Sequence, residues 1–179
     1  MKNILASLLL AALSTSSHAD RFDEKLELAK QGDPHDQWFV GILYDAGQGI
    51  TENDEAAIMW YTKAAEQGYA MAQSSLGLMY ANGEGVPEND KTAVMWYAKA
   101  AEQGVAEAQA NLGFMYANGE GVPENDVKAY VWVSMAKANG DEVAKVIIDV
   151  FKTEMTKEQI AKAQKLAAKC YASDYKDCN

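Results

Sequence analysis

The twelve residues 79–90, MYANGEGVPEND, recur without a change at 115–126, 36 positions later. Outward from them, the same interval separates Gly32, Gly68, Gly104 and Gly140; Gly41, Gly77 and Gly113; Tyr44, Tyr80 and Tyr116; and Trp60, Trp96 and Trp132. Residues 69–104 and 105–140 are identical at 21 of 36 positions. A fixed period of this length marks a repeat architecture, in which one supersecondary unit is copied and stacked because it cannot bury its apolar face alone.

Within a unit the apolar spacing is helical. Ala72, Leu76, Met79 and Tyr80 fall at i, i+4, i+7 and i+8, and Ala93, Trp96, Tyr97, Ala100 and Ala101 form a second stripe. Each unit is therefore a helix hairpin, and the chain is all-α. Asn82-Gly83 stops the first helix, Val86-Pro87 cannot continue it, and Asn89 stands where an N-cap belongs, with Asp90 in the positive first turn that follows. Gly77 and Gly113 lie inside a helical stripe, where glycine costs about 1 kcal/mol relative to alanine. Close approach of another helix is the expected compensation, with bulky Tyr80 and Trp96 filling the space beside it.

Residues 72–104, AQSSLGLMYANGEGVPENDKTAVMWYAKAAEQG, resemble a Sel1-like repeat, a relative of the tetratricopeptide repeat. The resemblance rests on A-x-x-x-L-G-x-M-Y-x-x-G-x-G-V-P followed by A-x-x-W-Y-x-x-A-A-x-Q-G. It implies a right-handed α-solenoid of stacked antiparallel hairpins, with repeats at 33–68, 69–104 and 105–140. Unit one departs from the pattern with Ile50-Thr51 in place of Val-Pro, and unit three has Val133 at the tyrosine position. Residues 20–32 then form an N-terminal capping helix, and 141–179 a partial repeat, a capping helix and a tail. In that last segment Asp149 replaces the glycine, and the T-x-x-Q of residues 156–159 is a capping box opening a final helix through about Cys170, whose Lys162, Lys165 and Lys169 suit a solvent-facing end.

Residues 1–19 have the form of an export signal: Lys2, an apolar stretch over 4–13, and small residues before a cut after Ala19. No other run approaches the ~20 apolar residues of a spanning helix. A periplasmic or secreted protein is expected. Without Lys2 the chain holds 15 basic against 26 acidic residues, a balance that disfavours nucleic acid and anionic membrane surfaces. Cys170 and Cys178 form an even pair at close spacing, which in an exported chain suggests a disulfide. Eight residues of continuous helix rise about 12 Å, too far for a bridge, so the chain must bend between them, at Ser173-Asp174.

The doubled segment carries no chemistry of its own. It lacks the third glycine of a dinucleotide loop and the Gly-Lys-Ser/Thr of a phosphate loop, and its carboxylates do not have calcium-loop spacing. His35 follows Asp33-Pro34 and reads as an exposed helix-start residue; no metal or cofactor is expected. Residues 134–137, Ser-Met-Ala-Lys, fit S-x-x-K, but S-D-N and K-T-G are absent, and Lys152-Thr153-Glu154 fails at the third place. A peptidoglycan- or β-lactam-interacting protein with weak hydrolase activity is the alternative reading; a non-enzymatic one is expected.

Function then rests on surface. The resemblance places the first helix of each hairpin on a concave face that receives a peptide or protein. It puts Trp38, Ile42 and Asp45 there from unit one; Ser74, Leu78 and Asn82 from unit two; and Ala110, Phe114 and Asn118 from unit three. Ile42, Leu78 and Phe114 make an apolar column with Trp38 as aromatic anchor. Alternatively, Trp38 packs on the N-terminal cap and the asparagines only assist the helix stop. Envelope assembly, host interaction and neutralisation of a basic effector are the roles the resemblance allows.

Overall fold

The structure, a computed structural model, describes residues 18–178, with side chains from Phe22 onward. Residues 1–17 of the expected signal lie outside the described residues. Nine helices and no strand occur among the described residues: α1 (His18–Lys30), α2 (Pro34–Asp45), α3 (Asp54–Glu66), α4 (Ala70–Asn82), α5 (Asp90–Ala101), α6 (Ala106–Asn118), α7 (Asp126–Ala138), α8 (Ala144–Glu154) and α9 (Lys157–Ala172). The pairs α2/α3, α4/α5 and α6/α7 are hairpins, and each second helix packs on the first helix of the next. The result is an α-solenoid with α1 on its first hairpin.

The stop and start signals act as their chemistry requires. Helix α4 ends at Asn82 because Gly83 turns left-handed at φ 73° and returns its N–H to the Met79 carbonyl. The second helices open on Asn53, Asn89 and Asn125, whose side chains accept from the N–H groups of Ala56, Thr92 and Lys128. The helical glycine is explained by its own hairpin partner. A Cβ at Gly77 would come 2.6 Å from the Tyr97 ring, and one at Gly113 would come 2.6 Å from Val133 Cγ2. The valine of unit three thus takes the ring's place and keeps the seam closed.

A hydrogen-bond ladder joins the units. The buried Gln73 donates to the Ala65 carbonyl of the preceding unit at 3.1 Å and accepts from Gln103 at 2.7 Å. Gln37 repeats the pattern with Ala29 and Gln67, and Gln109 with Ala101 and Asn139. Each of these last-turn carbonyls accepts one backbone N–H, from Gly32, Gly68 or Gly104, and the buried glutamine supplies a second donor where packing has cut the remaining lone pair off from water.

Beyond unit three the pattern changes. Ala144, Ile148 and Phe151 keep α8 in the buried register of Ala108, Leu112 and Met115. The α8–α9 connection, however, is Met155 and the N-cap Thr156 alone, and α9 lies chiefly along α7. Thr156 and Gln159 form the expected capping box. With no second helix closing on α8 at that place, Asp149 is exposed and pairs with Lys152 at 2.8 Å, which lowers its pKa. After α9, Asp174 and Tyr175 take φ of 53° and 64°, bending the chain so that Cys170 and Cys178 are bonded with Cα atoms 4.4 Å apart. Tyr175 then donates its hydroxyl to Asn139 at 2.9 Å and so ends the glutamine ladder.

Candidate partner-binding face

The first helices present the candidate residues one unit at a time. Leu78 on α4 and Phe114 on α6 are 40% and 42% exposed, and Ile42 on α2 is half-buried. Leu78, Asn82, Asn111 and Phe114 line a depression of about 160 Å³. On the other side of Phe114 a cavity of about 410 Å³ is lined by Ala110, Asn111, Val143 and Ile147. Phe114 therefore stands between two hollows, and an apolar partner group in either would cover its ring.

Other candidates are engaged within the chain. Ser74 and Ala110 are buried. Asn82 and Asn118 are exposed, yet each donates to the turn glutamate two residues on, Glu84 or Glu120, at 3.0 Å. Trp38 donates Nε1 to Ser75 Oγ at 3.2 Å and packs 5.6 Å from the Tyr69 ring and 6.0 Å from His35. It joins units one and two. Asp45 accepts from the Tyr61 hydroxyl at 3.1 Å. Burial raises its pKa, and the Glu84 and Asp54 carboxylates push the same way. Asp45 is in register with Ala81, not with Asn82.

Val146 and Val150 on α8 were not anticipated. They stand 36 positions beyond Ala110 and Phe114 and are 65% and 48% exposed. The period was the available signal; Asp149 at the glycine position obscured it.

Two further groupings are tied up in the fold. Asp33, His35 and Asp36 each bring one ligand atom within 4.8 Å of the others. Asp33 caps α2 through the Asp36 N–H, and Asp36 holds Lys25 at 2.7 Å. Ser134 lies in the second half of α7 and donates to the Tyr130 carbonyl at 2.7 Å, as a helical serine does.

Comparison with known proteins gives the arrangement a family. A model described as Sel1 repeat matches residues 34–69, 70–105 and 106–141. The chain is similar to a Sel1 repeat protein from Oxalobacter formigenes, at 37% identity over 72% of this chain and 97% of that one, with a TM-score of 0.66. A protective antigen present in uropathogenic Escherichia coli strains, which displays an SLR fold, is 28% identical with a TM-score of 0.53; the match covers 96% of this chain and 45% of the antigen. Helicobacter pylori cysteine rich protein B shares the fold at 21% identity and a TM-score of 0.62, over 74% of this chain and 98% of that one. No curated protein matches. The chain belongs to the Sel1 repeat family.

Proposed function

We propose, with membership of the Sel1 repeat family as the premise, that this chain is an exported interaction module that holds a peptide or protein partner on its first-helix face. Sel1-repeat proteins generally mediate protein–protein interaction, and the solenoid is typically a non-catalytic scaffold. One observation carries the reading to particular residues. Positions that join units repeat almost unchanged, whereas the column of half-buried Ile42 and exposed Leu78, Phe114 and Val150 stays apolar but changes side chain at every step. Apolar side chains left in water along a regular line are what an interface core is made of. Glu107 and Glu120 line the hollows on either side of Phe114, so a partner with basic groups beside an apolar stripe is favoured. The Cys170–Cys178 bond and the signal-like start support export, and no helix among the described residues is long and apolar enough to cross a membrane.

The test is photocrosslinking in intact cells, followed by fractionation, with benzoylphenylalanine in place of Leu78 or Phe114. Both positions are expected to capture one and the same protein in the periplasmic or secreted fraction. Met59, equally exposed on α3, is not expected to capture it. Equal capture from Met59, or no capture from either groove position, overturns the reading.

A further inference from the structure

The described residues hold a second surface of opposite character. Residues 20–126 carry six basic against nineteen acidic side chains, while residues 127–178 carry nine lysines against seven acids. Four of those lysines, Lys128, Lys162, Lys165 and Lys169, frame a cavity of about 580 Å³ between the start of α7 and α9, with Val127 and Leu166 as its apolar lining. Lys169 reaches Asp177 at 3.4 Å, and the Lys128 ammonium lies 5.2 Å from the Tyr116 ring centroid. The Lys169–Asp177 contact is exposed to solvent.

The inner units show what normally occupies this place. The turn of unit two lies over the start of α3, so that a Cβ on Gly85 would be 2.7 Å from the Asp54 carbonyl carbon. The turn of unit three lies over the start of α5 in the same way, with Gly121 against Asp90. Each covering segment reads Glu-Gly-Val-Pro-Glu, acidic at both ends and apolar between. At the start of α7 the next unit offers only Met155 and Thr156 in place of such a turn. The residues beneath have changed to match: Glu55 and Lys91 of the inner units become Val127, and Ala56 and Thr92 become Lys128.

We infer that this groove receives an acidic, turn-forming segment of a second protein, with the chemistry of the Glu-Gly-Val-Pro-Glu turn. Val127 and Leu166 take the place of the valine and proline contacts, and the lysines pair with the flanking carboxylates. Lys162, Lys165 and Lys169 spread over about 10 Å of helix. That suits carboxylates distributed along a peptide, whereas a fatty acid presents one charge, and the apolar lining does not suit a sugar-phosphate chain. The site is separate from the first-helix face and stands whether or not that face binds.

The probe is the synthetic dodecapeptide MYANGEGVPEND, titrated into the full chain and followed by amide shifts of Val127 and Leu166. Saturable binding is expected, weakened at least tenfold in Lys162→Glu/Lys165→Glu, whose exposed positions leave the melting temperature unchanged. Binding should also weaken for the peptide with its acids replaced by amides, and stay unchanged in Phe114→Asp. No saturable shift, or equal binding by the double variant, overturns the inference. A response to palmitate vesicles but not to the peptide assigns the groove to lipid and overturns it as well. Salt-sensitive self-association that disappears in the double variant replaces the second protein with a second copy.

Discussion

The junction between units two and one and the junction at the end of unit three are built on one frame and closed in opposite ways. Inside, seven residues leave α4, cross the start of α3 and enter α5, and glycine lets backbone touch backbone. At the end two residues suffice, and α9 swings across α7 to be tied down by Cys170–Cys178 and Tyr175. An interior junction can rely on the next unit for closure. A terminal one has no next unit, so a covalent bond and one aromatic side chain substitute for it, and the place of the missing turn stays open to a ligand.

The largest effect belongs to the interior closure. Gly121 has φ 67°, and a Cβ there would stand 2.5 Å from the Asp90 carbonyl carbon. Gly121→Ala adds left-handed strain to a backbone collision and is expected to cost about 3 kcal/mol or more in urea unfolding. Gly140 has φ 97° with nothing within 4 Å, so Gly140→Ala isolates the strain, about 1 kcal/mol. Equal losses at the two positions would mean that the turn only needs its dihedral and does not need the contact.

The terminal closure comes next. Replacing both cysteines by serine removes the constraint on a short loop, worth about 2.5 kcal/mol on the chain-entropy model. Reduction of the native protein should give the same loss. Because both sulfurs are buried in the cluster that contains Trp132 and Leu112, the loss is expected in the main melting transition. A separate early transition of the tail would show that the end closes independently of the units.

The glutamine ladder connects the two closures. Gln109→Leu leaves the Ala101 carbonyl with only the Gly104 N–H and takes the acceptor from the Asn139 amide, an expected cost of about 1.5 kcal/mol. Since Asn139 also receives Tyr175, amide exchange of residues 173–177 should accelerate in the same variant. Unchanged exchange would place the tail's stability in the disulfide alone.

The repeat, its helix limits and its caps were legible in the sequence because each rests on local chemistry: a period, an Asn-Gly stop, an asparagine cap, a T-x-x-Q box. The ladder was visible as recurring glutamines without a cause, since its meaning depends on a carbonyl eight residues back that only tertiary packing buries. Candidate groove residues were legible as a register, which Val146 and Val150 extend, but exposure was not. Ser74 and Ala110 share the face of Leu78 and Phe114 and are nonetheless buried, and Trp38 is held by Ser75 of the next unit. The lysine groove was hidden for the same reason: Lys162, Lys165 and Lys169 read as a solvated face until α7 was set opposite them.

The smallest effect tests the electrostatic half of the comparison. The interior junction gathers carboxylates, Asp45 with Asp54 and Glu84 nearby, where the terminal one gathers lysines. Burial first, and those neighbours after it, raise the Asp45 pKa against the pull of the Tyr61 hydroxyl. A carboxyl whose folded pKa lies above its unfolded value holds its proton longer in the native state, so stability falls as pH rises from 3.8 toward the raised value. Asp45→Asn keeps an acceptor for Tyr61 and removes that fall. At neutral pH the variant should be at least as stable as the native chain, by no more than about 0.5 kcal/mol for so accessible a group. Its melting temperature should also vary less between about pH 4 and pH 7 than that of the native chain. A steeper dependence would mean that the ionised carboxylate is the form the junction favours, and the concentration of acids around the interior turn would then be stabilising there.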